Sequence, residues 1–92
     1  MRFKFDKSKS KRLRRNPKRK IGFEEVQEIW QHQYYEDCRP DNPEQFRAIG
    51  WVKGILYSAI FELREDDEGE YYHLVTLWKA TVQEVKLYEE NR

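Results

Sequence analysis

Histidine is the first side chain to consider for chemistry, because its ordinary pKa of about 6.5 lets it gain or lose a proton near neutral pH. The chain has two histidines, His32 and His73. His73 lies within an apolar, β-branched segment that predicts a strand, where its imidazole could act as a general base or acid. The alternative is a packed or surface histidine without a chemical role. His32 ends a predicted helix, and we expect it to interact with the C-terminal carbonyl groups there.

Two arginines, Arg47 and Arg64, lie on or beside other predicted strands and could bind an anion together. A guanidinium group is a planar fork of donors that matches two oxygens of a phosphate or carboxylate. The site requires both side chains to lie on one face of the sheet. The alternative is that they pair with local acids such as Glu44 and Glu62.

The densest positive charge on a predicted loop is Lys18-Arg19-Lys20, shortly after Arg14 and Arg15 at the end of a predicted helix. Side chains of this type make most contacts to phosphates in nucleic-acid complexes. We therefore predict that these five residues bind RNA. The alternatives are a solvated loop, or a surface that docks an acidic protein.

This cluster is part of a wider separation of charge along the chain. Residues 1–20 carry eleven Lys or Arg and one acid, which gives +10, whereas residues 21–92 carry seven Lys or Arg and sixteen acids, which gives −9. A positive pole of this density favours a polyanion partner such as RNA or DNA, because each paired phosphate releases condensed counterions. The acidic remainder argues against a chain that coats nucleic acid with its whole surface.

Other kinds of site receive little support from the sequence. The single cysteine, Cys38, follows two acids that disfavour a reactive thiolate, so we expect an inert thiol in a reducing compartment. Glu24 and Glu25 are adjacent and would point about 100° apart on a helix, so they cannot form a catalytic pair. Two distant histidines and one cysteine give no zinc pattern, and we expect neither metal nor cofactor. No segment is typical of a membrane span or secretory signal, so a cytoplasmic location is expected.

Periodicity and turn signals predict the elements that would position these residues. Phe3 and Phe5 alternate with basic residues as in a short strand, and Asp6 can cap a helix over residues 7–15 whose apolar anchor is Leu13. Later helices are predicted at residues 23–32 and 80–91, and strands at residues 33–38, 46–52, 55–63 and 71–78. Turns are predicted at residues 39–44, 53–54 and 66–69.

Ninety-two residues with fourteen aromatics make one small domain. The order of elements predicts the α+β class, with an antiparallel sheet of three to four strands plus a short N-terminal strand. Two N-terminal helices and a C-terminal helix are expected to cover one face of this sheet.

The order of these motifs resembles the BrnT toxins, the ribonuclease halves of bacterial type II toxin–antitoxin pairs, whose fold is similar to RelE. The family opens with an apolar strand, an Asp and a basic helix, which residues 3–15 match. Its Lys-His-Gly loop before Phe-Glu-Glu is matched by residues 18–25, and a middle arginine before Ile-Gly by residues 47–50. An arginine that closes the next strand is matched by Arg64. The last strand and helix are matched by residues 73–80, followed by Glu84 and Tyr88.

Three positions depart from the family pattern. Arg19 stands where the family loop has histidine, and His73 and Trp78 stand at the two arginines of the last strand. Several positions that would touch RNA are therefore altered. These differences motivate a second hypothesis, a catalytically silent relative that binds RNA or a partner protein.

The resemblance implies one BrnT-like domain over residues 1–92 that cleaves RNA without a metal and is held inactive by a small antitoxin, similar to BrnA and of the ribbon-helix-helix type. In that reaction a base helps the 2′-hydroxyl attack the adjacent phosphate, an acid protonates the leaving 5′-oxygen, and cations stabilise the phosphorane. The residues expected to carry it are His73, Arg64, Lys79 and Arg47. A third hypothesis is that the basic segment meets an acidic partner chain, for example in a homodimer.

Overall fold

The computed structural model describes residues 1 to 92 and contains a five-stranded sheet with three α-helices. The strands are β1 (Arg2–Lys4), β2 (Tyr35–Arg39), β3 (Asn42–Val52), β4 (Ile55–Asp66) and β5 (Gly69–Lys79). The helices are α1 (Lys7–Arg15), α2 (Phe23–Val26) and α3 (Val82–Glu90), and a 3₁₀ helix, Gln27–Gln31, continues α2. The spatial order is β1-β5-β4-β3-β2, in which β1 is parallel to β5 and the other pairs are antiparallel. The protein is therefore an α+β protein with a mixed sheet.

The first helix, α1, begins and ends where the sequence predicts. Asp6 is its N-cap, since its Oδ1 accepts a hydrogen bond from the Lys9 amide at 3.0 Å. This acceptor satisfies one of the backbone donors that a helix start leaves without a partner. The helix ends at Asn16, because the residue before Pro17 is disfavoured in the helical region. Leu13 is buried in the core, as its role of apolar anchor requires.

The second helix differs from the continuous helix predicted over residues 23–32. Only Phe23–Val26 is α-helical, and Gln27–Gln31 winds as a 3₁₀ helix. With three residues per turn, this winding places Val26 and Ile29 on one line, and both side chains are fully buried. Packing against the sheet thus overrides the helical period that the sequence indicates.

Strands β3, β4 and β5 are longer than predicted, β2 begins two residues later than predicted, and the turns predicted at residues 39–44 and 66–69 are shorter. β3 begins at Asn42 and β4 ends at Asp66, so the turns predicted over residues 39–44 and 66–69 contain only Pro40-Asp41 and Asp67-Glu68. Cross-strand hydrogen bonds extend the ladder into residues whose types alone are typical of turns. The turn at Lys53-Gly54 is as predicted, and both residues have positive φ angles, 50° and 79°, which suit a tight hairpin.

The two faces of the sheet have different coverings. The helix face packs against α1, α2 and the 3₁₀ helix in a core that includes Leu13, Phe23 and Phe61. α3 lies on the opposite face, where Tyr88 packs against Ile49 and Leu56. The prediction that all helices cover one face is therefore wrong. None of the helices has the length and apolar character needed to cross a lipid bilayer.

The last helix is oriented by a buried acid rather than by an apolar stripe. Of the residues at helical spacing, Tyr88 is buried, but Val82 is 74% exposed and Val85 is 38% exposed. Glu84 is buried instead, and it forms a capping box with the N-cap residue Thr81. α3 therefore covers only one end of its face of the sheet, and we call the uncovered remainder the open face.

Candidate functional site

A line of polar side chains crosses the open face from strand to strand. His73 on β5 is paired with Glu62 on β4, and Lys4 on β1 is paired with His73. Gln45 on β3 donates from Nε2 to Glu62 Oε2 at 3.1 Å, and Arg39 on β2 donates from Nη1 to Gln45 Oε1 at 3.3 Å. These five residues, which we call the cross-strand row, connect all five strands.

Arg64 lies beside the cross-strand row and is bonded to it. Its Nε and Nη2 donate to Glu62 Oε1 at 3.0 Å and 2.5 Å. This is one of the local pairings that the sequence offers as the alternative to an anion site. Hydrogen bonds from Gln45 and then from Arg64 lower the pKa of Glu62, so its carboxylate is ionised at neutral pH. The Arg64 side chain is 48% exposed, which leaves it accessible to an anion from solvent.

His73 is half-buried between Lys4 and Glu62 in the row. Burial lowers its pKa, the positive charge of Arg64 lowers it further, and the negative charge of Glu62 opposes this change. The imidazole is therefore neutral at pH 7. Of the two roles that the sequence leaves open, this protonation state favours a general base over a general acid.

Arg47 shares the open face with Arg64 but is held by two acids. Its Nε and Nη2 donate to Asp37 at 3.0 Å and 2.5 Å, and its Nη1 donates to Glu84 at 3.4 Å. Neither partner is Glu44. Because the side chain is only 24% exposed, its main effect is to neutralise these carboxylates and to join α3 to the sheet.

Trp78 lies next to a pocket at the same end of the open face. Its indole N–H donates to Glu84 Oε1 at 2.9 Å, and the same oxygen accepts the Thr81 amide at 2.9 Å. The pocket has a volume of about 270 Å³ and extends from Trp78 across Ile60 to Arg39 at the sheet edge. The open face thus combines a row of ionisable groups with a fixed aromatic side chain.

Lys79 does not lie with the other residues predicted to be catalytic. It is paired with Tyr57, which belongs to the core of the helix face. Successive residues of a strand point to opposite faces, so Lys79 is directed away from the open face that carries Trp78. The structure therefore groups His73 with Arg64, places Arg47 further along the same face beside Asp37 and Glu84, and directs Lys79 to the other face.

Unpaired positive charge is concentrated on the outer surface of α1 and the turn that follows it. At about 100° per residue, Lys7, Lys11 and Arg15 lie on the side of the helix opposite Leu13. With three neighbours they form a set of exposed residues that we call the basic stripe: Lys7, Lys11, Arg12, Arg15, Lys18 and Lys20. None of these side chains forms an ion pair within the protein. Like charges four residues apart destabilise a helix, so an anionic partner would relieve this repulsion.

Two of the residues predicted to bind RNA have partners within the protein. Arg14 donates to Glu24 at 2.6 Å and to Glu25 at 3.2 Å. Arg19 donates from Nε to the Leu77 carbonyl oxygen at 2.9 Å, at the edge of β5 that β1 leaves uncovered. Their guanidinium groups therefore support the fold, whereas Arg15, Lys18 and Lys20 are free.

The structure adds residues that the sequence did not single out. Lys7 and Lys11 were part of a basic helix, and their spacing relative to Leu13 could have identified them as its outer face. The sequence presents Glu62 only as a possible partner of an arginine, whereas in the structure it lies opposite His73. Its position depends on strand register, for which the sequence gives no direct signal.

No group of three or more His, Cys, Asp and Glu side chains is placed to hold a metal ion. The sequence matches no family model, and it matches no curated protein. The function must therefore be argued from the open face and the basic stripe.

Proposed function

We propose that this protein binds RNA through the basic stripe and cleaves it on the open face without a metal ion, as a toxin of the BrnT type. The observation that carries the proposal is the grouping of His73, Glu62 and Arg64 on one accessible patch. A neutral imidazole can act as the base of phosphodiester cleavage, and a guanidinium group can stabilise the charge on the phosphorane. The proposed fold is RelE-like and the proposed location is the cytoplasm.

The arrangement supports a cyclising reaction. His73 takes the proton of the 2′-hydroxyl, whose oxygen then bonds to phosphorus, and the bond from phosphorus to the 5′-oxygen breaks. The products are a 2′,3′-cyclic phosphate and a 5′-hydroxyl, whose oxygen takes its proton from water, because the ammonium group of Lys4 on the neighbouring strand is held by Asp66. Arg64 uses two nitrogens for Glu62, so its remaining nitrogen, Nη1, is available to a phosphate oxygen.

Binding precedes this chemistry and depends on the basic stripe. Its exposed cations suit the phosphates of a single strand, and Lys9 of the same helix reaches the Val75 carbonyl on β5, two residues from His73. Because α1 lies on the helix face, a strand bound to its outer surface would have to pass round this edge of β5 to reach the open face. A small antitoxin, proposed to be of the ribbon-helix-helix type, would inhibit the protein by covering either surface.

The second candidate is a catalytically silent relative that binds RNA. The bonds of Arg47 and Arg64 to carboxylates favour it, because a guanidinium group held by an acid stabilises a phosphorane less well. This candidate predicts binding that weakens with salt, without cleavage. The third candidate, association of the basic stripe with an acidic chain, predicts assembly that dissociates as ionic strength rises.

The test is an RNA-cleavage assay in EDTA with three variants. We expect the wild type to produce cyclic-phosphate ends, His73→Ala to slow cleavage by about 10²–10⁴-fold, and Arg64→Ala to slow it by about 10²–10³-fold. The triple variant Lys7→Gln, Lys11→Gln, Arg15→Gln should weaken binding. A control of equal charge change, Lys53→Gln, Lys86→Gln, Arg92→Gln, lies outside the basic stripe and should bind as the wild type does.

The three candidate functions differ in how the logarithm of the RNA-binding constant changes with the logarithm of the salt concentration. For single strands, each phosphate that the protein neutralises adds about 0.7 to this slope, so the triple variant should lower it by roughly 2 and the control should leave it unchanged. Wild-type protein that binds RNA with this slope but leaves it intact would favour the silent relative. Protein that does not bind RNA at all would exclude both RNA hypotheses.

A further inference from the structure

We infer that the pocket beside Trp78 binds a nucleobase and selects guanine. The inference rests on the proposed function in that the base belongs to a bound RNA strand. The pocket has a volume of about 270 Å³ and lies on the open face. Arg47 on β3 lines the pocket and is level with Thr76 on β5, three residues from His73. With strands about 4.8 Å apart, Arg47 and His73 are separated by roughly 12–14 Å. A base in the pocket would therefore belong to a nucleotide a short distance along the strand from the reacting phosphate.

The pocket offers a fixed aromatic side chain for stacking. The Trp78 side chain is half-buried, and the hydrogen bond from its indole N–H to Glu84 at 2.9 Å restrains the plane of the ring. Ile60 is fully buried and provides an apolar floor beside it. Stacking on aromatic side chains is how proteins hold unpaired bases, and it tolerates every base because each has a π face.

The charges of the pocket suit a neutral ring better than a phosphate. It is lined by two acids, Asp37 and Asp41, and by two arginines, Arg39 and Arg47, so its formal charge is zero. Asp37 and Arg47 are bonded to each other through two hydrogen bonds. A phosphate would be attracted more strongly to the basic stripe than to this pocket, whereas the electrostatic cost of placing an uncharged base in the pocket is small.

Two polar groups at the rim remain free to read the edge of a base. Asp41 has no partner for its carboxylate, and Arg39 makes a single bond, from Nη1 to Gln45 at 3.3 Å. Guanine presents two adjacent N–H donors, at N1 and N2, next to the acceptor O6. A carboxylate can accept both donors while a guanidinium group donates to O6. No other common base has this pattern on one edge, so guanine is the predicted ligand.

The experiment measures binding rather than cleavage, in the His73→Ala variant. Four RNA hexamers of five uridines and one central test base (guanosine, inosine, adenosine or cytidine) are titrated and followed by fluorescence anisotropy. We expect the guanosine hexamer to bind roughly tenfold or more tightly than the adenosine hexamer. The inosine hexamer, which lacks the N2 amino group, should fall between them.

Two variants assign the preference to the pocket. Asp41→Asn should abolish the difference between guanosine and inosine, whereas Asp67→Asn, an equal charge change in the β4–β5 turn, should retain it. Trp78→Phe keeps a ring in the pocket and should bind all hexamers more weakly without changing their order. Far-UV circular dichroism verifies that each variant is folded.

The outcomes separate this inference from the proposed function. Equal affinity for the four hexamers in folded protein overturns the inference, even if the wild type cleaves RNA. Guanine-selective binding by a protein that never cleaves RNA supports the inference and contradicts the ribonuclease proposal. Titration with GMP, AMP, CMP and UMP shows whether the ligand is an RNA strand or a free nucleotide. Tighter binding of the guanosine hexamer than of GMP indicates RNA. Equal affinities indicate that a free guanine nucleotide occupies the same pocket.

Discussion

The imidazole of His73 and the carboxylate of Glu62 belong to directly paired residues of β5 and β4 on the open face. Arg64 donates to that carboxylate and also acts on the imidazole through its charge. The protonation of His73 is thus set by burial, which favours the neutral form, by the positive charges of Arg64 and Lys9, and by the opposing negative charge of Glu62. Each neighbour can be removed without altering the buried core.

We predict that the pKa of His73 lies below its ordinary value of about 6.5 and responds in opposite directions to its two neighbours. Arg64→Gln should raise it, because a positive charge is removed, and Glu62→Gln should lower it further, because a negative charge is removed. NMR titration of the imidazole protons measures both changes, with Arg92→Gln as a remote control. A change of the same sign in both variants would contradict this account of the site.

The His73 imidazole should also make the free energy of unfolding depend on pH. Because the folded protein disfavours protonated His73, the contribution of the neutral imidazole to the free energy of unfolding is present above about pH 6.5 and is lost as pH falls through the folded pKa. His73→Gln should remove this part of the pH dependence. Denaturant unfolding at several values between pH 5 and 8 measures it.

A second prediction concerns the attachment of β1. Asp66 accepts from Arg2 at 2.7 Å and from Lys4 at 2.5 Å, and the hydrogen bonds from Arg2 and then Lys4 hold its pKa well below the usual range. Asp66→Asn should therefore lower the thermal midpoint. The ionised Asp66 stabilises the folded protein at pH values above the pKa of an unfolded aspartate, about 3.9. The difference in thermal midpoint between Asp66→Asn and the wild type should therefore decrease as the pH falls below that value. Asp67→Asn, which removes an unpaired neighbouring acid, should leave the midpoint unchanged.

The third prediction tests the packing of α1 against α2. Ser10 is fully buried, and its Oγ accepts the Phe23 amide at 2.7 Å and donates to Glu24 at 2.5 Å. Ser10→Ala leaves a buried amide without an acceptor, which costs about 1–3 kcal/mol. Ser8→Ala, at an exposed position of the same helix, should change stability by less than about 0.5 kcal/mol. Equal unfolding midpoints for the two variants would show that the buried hydroxyl is dispensable.

The sequence predicts features that depend on neighbouring residues and misses those that depend on distant ones. Asp6 caps α1 and Lys53-Gly54 turns the β3–β4 hairpin because both effects involve residues within one turn. The role of Arg19 depends on Leu77, which is 58 positions later, and no local pattern contains that relationship. The neighbourhood of His73 is predictable only once the strand register is known. Strand register in turn depends on packing throughout the core. The sequence therefore identifies residues of the cross-strand row one by one, but it does not show that they lie side by side on the sheet.

Apolar spacing predicts the wrong buried face for α3 for a related reason. The last prediction concerns Glu84. The spacing of Val82 and Val85 indicates an apolar face, yet Glu84 occupies the buried position because three donors surround it: the Trp78 indole and the Thr81 amide, both at 2.9 Å, and Arg47 Nη1 at 3.4 Å. Removing an acceptor so that a buried donor is left unpaired costs about 1–3 kcal/mol.

Glu84→Ala should therefore lower the free energy of unfolding by about 1–3 kcal/mol, because the Trp78 indole N–H loses its acceptor, whereas Arg47 keeps its bonds to Asp37. Denaturant unfolding measures this decrease, and a change in tryptophan emission reports release of Trp78. Glu89→Ala removes an acid from an exposed pair on the same helix, and should cost less than about 1 kcal/mol. If the two variants unfolded at the same denaturant concentration, Glu84 would not be the residue that fixes α3 and Trp78 on the sheet.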